Sequence, residues 1–241
     1  MIPYFPEPVL RLGNLSIYAF GLFYAGGLIL GSFVFLGRAE KYGLSQINVA
    51  WFVALGLPIG VTGAYLLSFV VDRGGHRLSS FGAILAVLML FAVSVYNGCI
   101  ERHTFRQWLD TIAYASVFGW LVGRIGCALA HDHMGVKTGC FLGVQFPGGS
   151  RFDLGLLEVL FLLVLAVALC LSDSYHIVLS EGITFGIVCS LYSVFRFSIE
   201  FLRADGPKWH GLTPEQYLAV PLLLISICVL MGHPWLLKAE G

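Results

Sequence analysis

Long apolar stretches separated by short polar ones organise this chain. Apolar runs cover about 16–36, 49–71, 81–96, 109–130, 154–171, 183–202 and 216–237. Each approaches the ~20 residues that a helix needs to cross the hydrocarbon core of a bilayer. The breaks are short and polar, as in GRAEKYGLSQ (37–46), DRGGHR (72–77) and NGCIERHTFRQ (97–107), except for a longer Gly-rich stretch over 131–152. The pattern predicts an all-α polytopic membrane protein of about seven transmembrane helices. No repeat, low-complexity tract or linker interrupts it, so residues 1–241 read as a single integral-membrane domain. No cleavable leader is expected, because MIPYFPEPVLRLGN has no basic segment leading into an apolar one.

Seven crossings place the two ends of the chain on opposite sides. Arg38, Lys41, Arg102, Arg106 and Lys238 fall on one side. Arg11, Arg73, Arg77, Lys137, Arg151 and Lys208 fall on the other, in longer loops. Lys and Arg in short loops stay cytoplasmic, and the tight ERHTFR loop makes the first side cytoplasmic and the N-terminus extracytoplasmic.

Composition narrows the function classes. Hydrophobic residues make up 58% of the chain and charged residues 12%, half the share of a soluble domain. Fourteen basic residues balance fourteen acidic ones, so neither disorder nor nucleic-acid binding is expected. The cysteines, Cys99, Cys127, Cys140, Cys170, Cys189 and Cys228, form no CxxC pair and read mostly as inert thiols in apolar surroundings. The neighbours of Cys127 and Cys140 set those two apart.

Charges inside spans are expensive and mark candidate sites. Arg124 lies deep in the fourth run, flanked by Gly123 and Gly126, which leave room for a ligand or a backbone. Asp132, with His131 and His133 on either side, follows near the membrane edge. Arg196, Glu200 and Arg203 fall at i, i+4 and i+7, with Tyr192 one turn earlier, and so share one helix face. Glu158 opens the fifth run, where capping of a helix N-terminus is the competing explanation. Arginine in excess over acid predicts a polar intramembrane cavity for an anionic ligand, and guanidinium forks suit phosphate. A phospholipid headgroup is the expected ligand; an enzyme, a transporter or a lipid receptor would each meet that description. His-x-His around Asp132 lacks a clear third ligand, so no metal is expected, and no cofactor.

The same residues resemble the prolipoprotein diacylglyceryl transferases of bacteria. Gly123, Arg124, Gly126 and Gly135 match the family's central G-R-x-G-N-x-x-N-x-E-x-x-G motif, with Asp132 at its Glu. Asp110, Ile112 and Ala113 match D-x-I-A before it; Thr138, Phe146 and Pro147 fit the segment after it. Arg196, Glu200 and Arg203 match R-x-x-x-E-x-x-R, and Leu212, Thr213, Gln216 and Pro221 match the closing L-T-x-x-Q-x-x-x-x-P. Arg151 and Glu158 resemble the charged pair of the family's fifth-span entry, and IYAFGLFYAGG is similar to H-W-Y-G-L-x-Y. Nearly the whole chain is covered.

The resemblance implies transfer of a diacylglyceryl group from phosphatidylglycerol to the lipobox cysteine thiol of a prolipoprotein, with glycerol 1-phosphate leaving. It implies a multi-pass protein of the bacterial cytoplasmic (inner) membrane whose partners are a phospholipid and a prolipoprotein signal peptide, with no nucleic acid. Carried over residue by residue, Arg124, Gly123, Gly126, Arg196, Arg203, Glu158 and Gln216 are expected to bind substrate, and Asp132, Glu200 and Tyr192 to serve catalysis. Departures are equally specific. The family's essential His aligns with Phe81, its two central Asn positions hold Cys127 and Ala130, and its early Tyr is Phe20. A replacement base is expected from His76, His131 or His133. The alternatives are a different acceptor on the same scaffold, or a lipid-binding paralogue without turnover.

Overall fold

Apolar runs become helices because a backbone in hydrocarbon must satisfy every N–H and C=O within its own segment. The computed structural model describes residues 1–13, 15–71, 80–177, 179–204 and 208–232. Its helices are α1 (Ala19–Lys41), α2 (Gln46–Val71), α3 (Ser80–Tyr96), α4 (Phe105–Ala130), α5 (Leu154–Ser174), α6 (Ile183–Ile199) and α7 (Pro214–Met231). Among the described residues six helices are long and apolar enough to cross a bilayer, and Gly82–Tyr96 forms a shorter apolar helix. The chain is a multi-pass membrane protein, and each helix falls on one of the seven apolar runs.

Sequence reading as an all-α chain passed over two small sheets. Strands β1 (Ile2–Pro3), β5 (Val144–Phe146), β6 (Gly149–Asp153) and β4 (Met134–Lys137) pair in that order, with β1 parallel to β5. Strands β2 (Val9–Leu12) and β3 (Leu15–Tyr18) form an antiparallel hairpin. The Gly-rich stretch after α4 therefore carries three of the strands, and Gly149, at φ 107°, makes the β5–β6 turn that only glycine adopts readily.

Two compact units divide the chain: residues 35–111, and residues 1–34 with 112–241. In the first unit α2 and α3 cross closely, because a Cβ on Gly63 would lie 2.5 Å from Gly82 O. Phe35, Phe52, Phe91 and Trp108 pack ring against ring there. In the second unit α1 crosses α4 backbone to backbone; a Cβ on Gly27 would stand 2.5 Å from Gly119 O.

The second unit has the polarity of a protein dissolved in lipid. Leu22, Ile29, Phe33, Val164 and Leu224 are exposed on helix surfaces, while Arg124, Glu158, Arg196, Glu200 and Gln216 are buried. In water that distribution would be reversed. Helix ends are capped locally. Glu7 accepts from Phe20 N at 3.0 Å at the start of α1. Asp153 accepts from Leu156 N at 3.2 Å at the start of α5. Thr213 and Gln216 form a reciprocal capping box on α7, with Pro214 at its first position.

Candidate active site

All of the site lies in the unit formed by residues 1–34 and 112–241. Its centre is Glu158, on the second turn of α5 and 1% exposed. Asp153 already caps that helix, so the Glu158 carboxylate is released for tertiary work. Its Oε1 lies 3.0 Å from Arg124 Nε and accepts from Tyr192 Oη at 2.8 Å and Trp120 Nε1 at 3.1 Å. Its Oε2 accepts from Arg196 Nη1 at 2.9 Å. A carboxylate in hydrocarbon is tolerable only with such a full set of donors.

The chain of charges continues along α6. Arg196 Nη2 lies 2.8 Å from Glu200 Oε1. Arg203 grips the same carboxylate with two donors, Nε at 2.7 Å and Nη2 at 2.9 Å. After Ile199 the backbone tightens into a single 3-10 turn, Glu200–Leu202, and then extends, which lets Arg203 turn back on Glu200. The Arg203 backbone also pairs with Gly135 of β4. A Cβ on Gly135 would lie 2.8 Å from Leu154 and 2.9 Å from Leu202 O, so this approach requires glycine.

Three guanidinium groups thus alternate with two carboxylates, in the order Arg124, Glu158, Arg196, Glu200, Arg203, leaving one surplus positive charge. Arg124 Nη2 and Arg203 Nη1 make no hydrogen bond among the described residues. Both nitrogens carry N–H donors that the network itself does not use. The Arg124 plane is further fixed by the Trp120 ring, 5.4 Å from its Cζ. Trp120 escaped the sequence reading, although it precedes Arg124 by four residues on the same helix face.

Past the end of α4 the two histidines part. His131 takes a left-handed backbone, φ 52°, and buries its ring against Tyr4, Phe5 and Phe146. Its Nδ1 sits 2.6 Å from Asp153 Oδ2. His133 instead lies in the cluster of Cys127 and Asp132. Burial, then the field of Arg124, Arg203 and Arg196, lowers its pKa to about 4. His133 is therefore the neutral imidazole beside the arginines, with Nε2 3.7 Å from Asp132 Oδ1. An open cavity of about 520 Å³ runs from Asp132 and Ala130 to Glu7, Phe20 and Gly21 at the start of α1.

Arg124, Glu158, Tyr192, Arg196, Glu200 and Arg203, singled out in the sequence, meet in one network, and Asp132 borders it. Gly123 and Gly126 differ. A Cβ on Gly126 would lie 3.0 Å from Phe20 O, whereas one on Gly123 would meet nothing within 4 Å. Gln216 spends its amide on backbone: Oε1 accepts from Thr213 N and Nε2 donates to Phe197 O. His131 belongs to the sheet and the N-terminal aromatics. His76 lies outside the described residues.

The family model described as prolipoprotein diacylglyceryl transferase matches residues 7–232. Similar curated proteins carry the name phosphatidylglycerol–prolipoprotein diacylglyceryl transferase. That of Chromohalobacter salexigens is 29% identical, covering 92% of this chain and 91% of its own. That of Geobacter sulfurreducens is 28% identical, covering 93% and 94%. That of Wolbachia pipientis subsp. Culex pipiens is 25% identical, covering 93% of each.

Proposed function

Because this chain belongs to the prolipoprotein diacylglyceryl transferase family, we propose that it moves the diacylglyceryl group of phosphatidylglycerol onto the lipobox cysteine of a prolipoprotein. The reaction takes place in the bacterial cytoplasmic membrane, with the phospholipid and the prolipoprotein signal peptide as partners. The observation that carries this reading is the buried arginine network, in which Arg124 Nη2 and Arg203 Nη1 make no hydrogen bond among the described residues. Arg124 Nη2 and Arg203 Nη1 take the lipid phosphate, held in place by Glu158 and Glu200.

In the transfer, the acceptor thiolate attacks the glyceryl carbon that carries the phosphate ester. The carbon–oxygen bond breaks and glycerol 1-phosphate leaves. Charge grows on the departing phosphate, where donors preorganised in a low dielectric act most strongly. His133 takes the thiol proton on Nε2, and the Asp132 carboxylate, 3.7 Å away, stabilises the imidazolium that forms. Tyr192, donating to Glu158, serves as a positioning residue rather than one that meets substrate. Gly123, with open space above it, lets the headgroup approach α4.

Phe81 at the family's His position favours a second reading, a lipid-binding protein without turnover. One experiment separates the two: expression in transferase-depleted bacteria, with mass spectrometry of a reporter lipoprotein. The added diacylglyceryl mass is expected with the wild-type chain, and His133→Asn is expected to lower its rate of appearance by roughly 10²–10⁴-fold. A reporter that stays unmodified by the wild-type chain rules out the transferase reading.

A further inference from the structure

The Cys127 thiol, the Asp132 carboxylate and the His133 imidazole converge where α4 ends. One ligand atom from each lies within 4.8 Å of the other two. Sulfur, nitrogen and oxygen in one cluster form a ligand set for a borderline divalent cation. Around Zn²⁺ such atoms lie about 3.3–3.6 Å apart, given bond lengths of about 2.0–2.3 Å and tetrahedral angles. His133 Nε2 and Asp132 Oδ1, 3.7 Å apart, are already near that spacing. The cluster needs to close by about an ångström, within reach of side-chain rotation.

Other features fit a bound cation. Asp132 is exposed and His133 partly so, giving a path from the aqueous edge, while Cys127 is buried beneath them. Cys127 lies within reach of Arg124 Nη1, 3.7 Å from its sulfur, but that guanidinium is anchored to Glu158 through Nε. The thiol can therefore turn to a metal without unseating Arg124. Three protein ligands leave a fourth position open.

We propose that Cys127, Asp132 and His133 form a site for a divalent cation of the zinc class, whose occupancy switches off transfer by engaging the imidazole lone pair that accepts the thiol proton. The inhibitory part rests on the transferase reading above; binding itself does not.

The test uses the full chain purified in detergent and titrated with Co²⁺ alone. Expected are one cobalt per chain, a sulfur-to-cobalt charge-transfer band, and displacement by Zn²⁺. Cys127→Ala is expected to remove the band. Asp132→Asn, altered at an exposed side chain, is expected to weaken binding at least ~10-fold. A folded wild-type chain without the band, or a band that survives Cys127→Ala, overturns the site. In the transfer assay, Zn²⁺ is expected to suppress the wild-type rate and a chelator to restore it. Zinc that binds without slowing transfer overturns the inhibitory role. Cobalt binding in a chain that transfers nothing sinks the transferase reading and leaves the metal site standing.

Discussion

Glu158 decides whether the arginines can stay buried. It neutralises Arg124 and Arg196 at once and takes two further neutral donors. Glu158→Gln keeps the shape and removes the charge, leaving three guanidiniums with Glu200 as the network's one carboxylate and Arg124 without its ion-pair partner. Removing one partner of a buried ion pair costs about 3–5 kcal/mol, so this variant is expected to lose folded protein and transfer together, read as melting temperature in detergent and as reporter lipidation. Half of this was legible in the sequence. The stripe Tyr192, Arg196, Glu200, Arg203 follows from helical spacing. The partnership across to Glu158 does not, because it depends on how α5 packs beside α4 and α6. Capping was an equally sound local explanation until Asp153 proved to be the cap. The two histidines teach the same lesson. His131 and His133 are equivalent in sequence, and only the left-handed turn at His131 sends one into the aromatics and the other toward the arginines. His131→Asn is expected to lower the melting temperature by breaking the 2.6 Å contact with Asp153, whereas His133→Asn is expected to spare it and cost activity.

At the scale of elements, apolar length located every helix, but strand pairing was hidden. The strands of the sheet have two to five residues each, too short for an alternating pattern to emerge, and β1 is separated in sequence from its partner β5 by the helices α1 to α4. Glycine content told only that helices come close, without saying where. The structure sorts these glycines by what a methyl group would meet, and the sorting is testable. Gly126→Ala would press on Phe20 O of α1 at 3.0 Å, a crowding that costs typically about 1–3 kcal/mol. It is expected to melt earlier. Gly123→Ala would meet nothing within 4 Å and gains helix propensity, so its melting temperature should hold or rise. If Gly123 lies where the lipid headgroup approaches, the same variant raises KM for phosphatidylglycerol while the fold is intact. A Gly123→Ala chain with unchanged KM would place the headgroup elsewhere.

Across the whole molecule, the question is which side of the membrane the arginine network opens to. Arg203 pairs with Gly135 of β4, so this end of the network lies where α4 ends and the sheet begins. Helix α4 has 26 residues, a rise of ~39 Å, enough to put its two ends at opposite faces of a bilayer. Cys99 lies just before it and is exposed; Cys140 lies beyond it and is partly exposed. The Lys/Arg bias predicts a cytoplasmic Cys99 side, with Arg102 and Arg106 in the same short connection. The bias rests on loop length, not on number, since the opposite side carries six basic residues against five but in longer loops. Chains retaining either cysteine alone settle it. In intact cells a membrane-impermeant maleimide is expected to label the Cys140-only chain and to reach the Cys99-only chain only after lysis. The reverse pattern would turn the arginine network toward the cytoplasm. The lipid it draws on would then come from the inner leaflet, and the thiol it modifies would have to be presented from that side.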